Sequence, residues 1–224
     1  GKVGSGKSTL VNLLLRLYNP PKNSIFIDEH DIRDVPLKTL RSSVAYVPQD
    51  NFLFSSTIKE NIAFDPNPYQ DEQVFHAARQ AHVYGDIMDL PNKFETELGE
   101  RGLSLSGGQR QRVSIARALI KPSPIIIFDD SLSAVDSKTE SNILNTLRSQ
   151  MKSRTTIIIS HRISTIQEAD QIIVLDKGEI VERGTHQSLL KQDGIYKKMF
   201  TQQTTQVSSP SLNGSKIFLK KRRR

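Results

Sequence analysis

Two apolar periods alternate along the chain. After the opening GKVGSGKSTL, residues Leu10, Leu13, Leu14 and Leu17 fall three and four apart, which predicts a helix that starts at the serine and threonine. SIFIDEHDI reads as a strand and turn, and SVAYVPQDNFLFSSTIKENIAF as a strand ending near Val47, followed by a loop that carries Gln49. From about 70 to 119 the spacing is helical, in DEQVFHAARQAHVYGDIMDL and again in GGQRQRVSIARALI. Three short strand-like runs follow, 125–128, 155–160 and 171–175, separated by helical segments that begin near Ser137 and Ile163. Strands alternating with helices predict an α/β fold with a parallel sheet and crossover helices. GEIVERG reads as a short edge strand and HQSLLKQDGIYKKMF as a last helical stretch, and no internal repeat is visible.

The 224 residues are 36% apolar, enough for a core of ordinary size, and no run approaches the roughly 18 apolar residues of a spanning helix. Cysteine is absent, which excludes disulfides and thiolate metal sites and fits a reducing compartment. The net charge of +7 suggests a nucleic-acid partner until its position is noted. Six basic residues and no acidic ones lie in 201–224 (Lys216, Lys220, Lys221, Arg222, Arg223 and Arg224), so residues 1–200 are nearly neutral. That polar, patternless end reads as a disordered tail, and no nucleic-acid face is expected on the body.

Gly1, Gly6, Lys7 and Ser8 fit the phosphate-loop pattern G-x-x-x-x-G-K-[ST]. Glycines let backbone N–H groups turn inward around phosphates at a helix N-terminus, Lys7 adds a cation, and the Ser8 hydroxyl can reach a magnesium ion. Gly107 and Gly108 open a second helix whose amides form another anion site, to which Ser106 adds a hydroxyl. The chain thus holds two separate phosphate-recognition surfaces. In IIIFDDSLSAVD an apolar strand runs into Asp129 and Asp130; neighbours on a strand point to opposite faces, so the two carboxylates should not share one role.

The phosphate loop, Gln49, LSGGQ at 105–109, Asp129, SAVD ending at Asp136 and His161 in IIISHR follow one another in an order that resembles the ATP-binding domain of ABC transporters, over about 1–202. The resemblance implies a P-loop NTPase core with a helical signature subdomain at about 70–120. It places the first strands and the adenine-stacking aromatic upstream of Gly1, so that 1–200 reads as a domain incomplete at its N-terminus and 201–224 as a tail. It implies ATP and Mg²⁺ as ligands. Gly1, Gly4, Ser5, Gly6, Lys7, Ser8 and Thr9 would hold ATP; Leu105, Ser106, Gly107, Gly108 and Gln109, with Asp136, would face the ATP of a second such domain paired head to tail. Ser8, Gln49 and Asp129 would attend the metal. Asp130, His161 and Gln49 would serve hydrolysis, His161 as the γ-phosphate sensor.

Asp130 stands where the family typically has Glu. A side chain shorter by one methylene loses about 1.5 Å of reach toward the attacking water, and ~1 Å of misplacement can cost ~10² in rate, so weak hydrolysis at this site is expected. LFSSTIKENIAF, ELGERGLSLSGGQRQRVSIARAL and IVERGTHQSLL look most like exporters whose membrane and ATP-binding domains share one polypeptide at the cytoplasmic face of a membrane. FDDSLSAVD resembles one subunit of bacterial heterodimeric multidrug or lipid exporters. Two alternatives stay open: a DNA-repair or chromosome-maintenance ATPase, disfavoured because no heptads separate Lys7 from Ser106, and a regulatory subunit that does not hydrolyse ATP.

Overall fold

The computed structural model describes residues 1–2, 4–65, 69–99, 105–132, 136–151 and 154–208. Its helices are α1 (Lys7–Leu14), α2 (Leu37–Ser42), α3 (Ile58–Ile62), α4 (Asp71–Gln80), α5 (Tyr84–Met88), α6 (Gly107–Leu119), α7 (Ser137–Met151), α8 (Ile163–Ile166), α9 (His186–Lys191) and α10 (Ile195–Ser208). The strands are β1 (Phe26–Ile27), β2 (His30–Asp31), β3 (Val44–Val47), β4 (Ile125–Asp129), β5 (Thr155–Ile159), β6 (Ile172–Asp176) and β7 (Glu179–Gly184).

Strands β3, β4 and β5 form a parallel sheet in that order, with Val44 opposite Ile125 and Ile125 opposite Thr155. A central parallel strand is covered on both faces, and the unbroken apolar run of β4 answers that demand. Alternate side chains serve the two sides. Ile127 packs with Val11 of α1 and Val44, whereas Ile126 and Phe128 join Ala45 and Val47 under the helical layer that includes Val74, Ile87, Val113, Ile115 and Ile143. The helical region at 70–120 therefore shares one core with the sheet. Phe128 is 1% exposed, so Phe128→Ala should cost about 3–5 kcal/mol, read as a lowered midpoint in urea unfolding.

Three differences from the sequence reading have local causes. Segment 171–175, expected in the parallel sheet, pairs antiparallel with β7 as a hairpin. Its two-residue turn is Lys177 (φ +49°) and Gly178 (φ +84°), and two left-handed residues give the twist that closes antiparallel neighbours. Leu10 and Leu17, expected on the buried stripe of α1, are exposed; Val11 is the buried residue. Helix α1 stops because Arg16 turns left-handed (φ +46°), and its guanidinium donates to Ile32 O (3.0 Å) and Val35 O (2.6 Å). Finally, α10 runs past Thr201 to Ser208, so the first part of the expected tail is helical; residues 209–224 lie outside the described residues.

Candidate functional site

The phosphate loop is shaped by two left-handed glycines, Gly4 (φ +78°) and Gly6 (φ +99°), which turn the chain just before α1. Gly6 is the N-cap and has no side chain to satisfy the first amides of the helix, so these stay available to an anion. Lys7 folds back over the loop, Nζ donating to Gly1 O (2.9 Å) and Lys2 O (2.7 Å). The loop is pinned from beneath, because Gly178 N at the β6–β7 turn donates to Ser5 O (3.1 Å). Ser8 and Thr9 lie exposed on the first turn of α1.

Asp129 ends β4 and is 5% exposed. Burial pushes its carboxyl upward and the Asp130 charge adds to this, while a hydrogen bond from Tyr46 and the charge of Lys7 oppose it. Tyr46, on the neighbouring strand β3, donates its O–H to Asp129 Oδ2 (3.3 Å). Its own hydroxyl is pushed up to about 12, mainly by burial and then by the Asp129 charge, so it stays a donor at neutral pH. The Asp129 carboxylate and the Ser8 hydroxyl are hard oxygen donors of the kind that suits Mg²⁺ bound jointly with phosphate oxygens, with Lys7 as a cation for the phosphates.

Asp130 leaves the strand through a left-handed turn (φ +46°), a conformation that Asp tolerates better than most residues. Its N–H still donates to Ile159 O (2.8 Å), which extends the ladder, and its carboxylate meets the imidazole of His161 just past β5. A carboxylate can only accept, so Nδ1–H of His161 donates to Oδ1 (2.9 Å) and Oδ2 (3.1 Å). Val47 pairs with Phe128 at the end of β3, and Gln49 follows two residues later in an exposed bend beyond that strand. Lys7, Asp129, Asp130 and His161 thus gather at the C-terminal ends of the parallel strands, where open α/β sheets bind ligands.

The second surface is the start of α6. Ser106 and Gln109 form a reciprocal cap: Ser106 Oγ accepts from Gln109 N (3.2 Å) and Ser106 N donates to Gln109 Oε1 (3.0 Å). The Ser106 O–H can still donate outward, and Gly107 and Gly108 bring their amides to the same end. Leu105 is buried behind them. Gln109 Nε2 donates to Asp86 Oδ1 (3.0 Å), and Arg112 Nη1 donates to Asp86 Oδ2 (2.7 Å). Burial alone would raise the Asp86 carboxyl, but bonds from Gln109 and Arg112 outweigh it and hold it below the ordinary range. None of these side-chain bonds of Ser106 or Gln109 reaches the phosphate loop.

Asp136 caps α7, its Oδ1 accepting from Lys138 N (3.1 Å) and Thr139 N (3.0 Å); a hydrogen bond from the Thr139 side chain, followed by these backbone bonds, keeps its carboxyl low. The preceding Ser133, Ala134 and Val135 of the SAVD motif lie outside the described residues. Sequence reasoning missed Tyr46 and Asp86. Tyr46 reads as a strand residue, and its partner lies 83 positions away. Asp86 reads as one polar position on a helix, and Gln109 is 23 positions away. Nothing local marks either one.

The geometry agrees with the comparisons. The family model described as ABC transporter matches residues 1–133. "Iron-sulfur clusters transporter ABCB7, mitochondrial" of Danio rerio is 46% identical over 217 residues, 96% of this chain and 29% of that protein. "Probable multidrug resistance ABC transporter ATP-binding/permease protein YheI" of Bacillus subtilis is 48% identical over 203 residues, 91% of this chain and 35% of that protein. A solved structure of a bacterial Atm1-family ABC exporter with ATP bound superposes with a TM-score of 0.88 at 46% identity, over 91% of this chain and 36% of that one. The chain spans about a third of the length of these relatives.

Proposed function

The chain belongs to the ABC transporter family and carries its ATP-binding domain, and we propose that it hydrolyses ATP to drive export of a substrate through a membrane domain on the same natural polypeptide. The observation that carries this reading is the pair of half-sites. One end of the sheet gathers Lys7, Asp129, Asp130 and His161, while Ser106, Gly107 and Gly108 open α6 as a second anion surface, where the Ser106 cap runs to Gln109 and the Gln109 amide to Asp86. Each surface is half of a complete site, so two such domains paired head to tail would each cover the other's ATP. Bound ATP then holds the dimer together, and hydrolysis lets it open.

Asp129 and the Ser8 hydroxyl are the groups that would hold Mg²⁺, which neutralises charge on the β and γ phosphates when bound. Asp130 is the water-orienting carboxylate, shortened by a methylene, and His161 holds it in place. This makes the site a weak one and favours a heterodimeric exporter whose partner brings the stronger carboxylate. The surface for the membrane domain is the aromatic patch beyond Gln49. Phe52, Phe54 and Phe64 are all exposed, Phe54 and Phe64 stack at 4.4 Å, and Arg117 lies over both rings. Among the described residues no helix is long and apolar enough to cross a membrane. The likeness to ATP-binding/permease proteins supports a place at the cytoplasmic face of a membrane.

An ATPase assay on the full-length protein, alone and with its partner subunit, tests this. Mg²⁺-dependent turnover is expected in the assembled pair even with the partner's catalytic carboxylate neutralised. No turnover under that condition, with ATP still promoting dimerisation, would leave a regulatory subunit instead.

A further inference from the structure

Helix α10 brings Gln203 against the loop that carries His161. The Gln203 carboxamide makes two hydrogen bonds to that loop: Nε2 donates to His161 O (2.6 Å), and Oε1 accepts from Ile163 N (2.9 Å). These two peptide groups flank Arg162, so a single planar amide pairs with the main chain on both sides, as an adjacent strand would. Glutamine suits the task because it offers a donor and an acceptor in one plane. Glutamate would present a second acceptor to His161 O, and asparagine would stop one methylene short.

Both ends of the clamp are anchored. Arg162 Nη1 donates to Oε2 of the buried Glu140 on α7 (2.7 Å), and Arg162 N donates to Ser160 Oγ (2.9 Å). Helix α10 is held at its start by the Glu182 carboxylate, which accepts from Ile195 N and from Tyr196 N (3.1 Å), and by Tyr196, which is buried and bonded to His186 (2.7 Å). The His161 side chain, by contrast, is 55% exposed, and among the described residues its side-chain hydrogen bonds go to Asp130. Its direction is therefore set by its backbone.

We propose that Gln203 is a positioning residue for His161: the clamp from α10 fixes the loop so that the imidazole meets Asp130 in the hydrolysis site. This rests on the reading of His161 as part of that site. Misplacement by about 1 Å can cost ~10² in rate, so in the full-length, partnered protein, with the partner's catalytic carboxylate neutralised so that this site alone reports, Gln203→Ala should lower kcat by roughly 10- to 100-fold while KM for ATP changes little. Gln203→Glu should fail likewise, having lost the donor. Gln202→Ala, on the exposed side of the same helix, should leave kcat unchanged; an equal loss there would mean that α10 matters only as a packed helix, and the clamp would be overturned.

The decisive comparison is made in a His161→Ala background, where Gln203→Ala should add no further loss. A loss of the same factor in both backgrounds would overturn the proposal, as would an unchanged kcat in the single variant. A second readout does not depend on catalysis. Modification of His161 by diethylpyrocarbonate, followed by mass spectrometry, should speed up severalfold in Gln203→Ala as the imidazole leaves Asp130. If His161→Ala proves as active as the parent protein, the assigned role of His161 fails, and the modification rate still decides: faster labelling upholds positioning, and an unchanged rate overturns it.

Discussion

Lys7→Ala is expected to empty this protein's own phosphate loop, whereas Ser106→Arg is expected to leave that loop filled and stop hydrolysis at the partner's site. Lys7 is drawn over the loop by the Gly1 and Lys2 carbonyls and lies close enough to Asp129 for their charges to interact. A hydrogen bond to a charged group contributes about 1.5–3 kcal/mol, so its loss should weaken ATP binding roughly 10- to 150-fold. Ser106 is the exposed N-cap of α6, and its capping bonds run to Gln109 rather than to that cluster. Arginine there would fill the anion surface, and loss of preorganised donors costs on the order of 10²–10³ in turnover. Photo-crosslinking of labelled ATP to the assembled pair, with each subunit resolved on a gel, separates the two effects. Emptying of the same subunit by both substitutions would contradict the head-to-tail arrangement.

What could be read from the sequence divides along physical lines. The phosphate loop, the signature helix and the strand ending at Asp129 are written in consecutive residues, because each depends on local backbone geometry: positive φ at Gly4 and Gly6, a capping box from Ser106 to Gln109, and an unbroken apolar run in β4. The helical and strand periods likewise place most elements. Long-range pairing is where the reading fails. The run 171–175 is as apolar as the other strands, and nothing within it distinguishes pairing with β5 from pairing with β7; the Lys177–Gly178 turn decides that. Tyr46, Asp86 and Gln203 each act on a functional residue 83, 23 and 42 positions away, respectively, and have no local signature. Gln203 was further hidden by composition, since the Thr/Gln-rich end of α10 reads as solvated tail while it is held by the packing of Tyr196 and the Glu182 cap.

The same geometry sets the expectation for Asp130→Glu, which should raise turnover at this site by up to ~10² if reach is the only defect. In the structure the Asp130 carboxylate is engaged by His161 through both oxygens, and the left-handed turn fixes where its short side chain can point. Glutamate adds the missing methylene but tolerates a positive φ less well than aspartate, so rates must be referred to folded, nucleotide-loaded protein. On the proposed weak-site reading Asp130→Asn should change little, since an amide oxygen can still accept from His161 Nδ1–H. Asp129→Asn should act differently, weakening Mg²⁺-dependent nucleotide binding through loss of the ligand charge. Steady-state hydrolysis by the assembled pair, with the partner's catalytic carboxylate neutralised, lets this site alone report. A large loss on Asp130→Asn with no gain on Asp130→Glu would show that Asp130 is already a competent base, held at working distance by His161, and the weak-site reading would have to be given up.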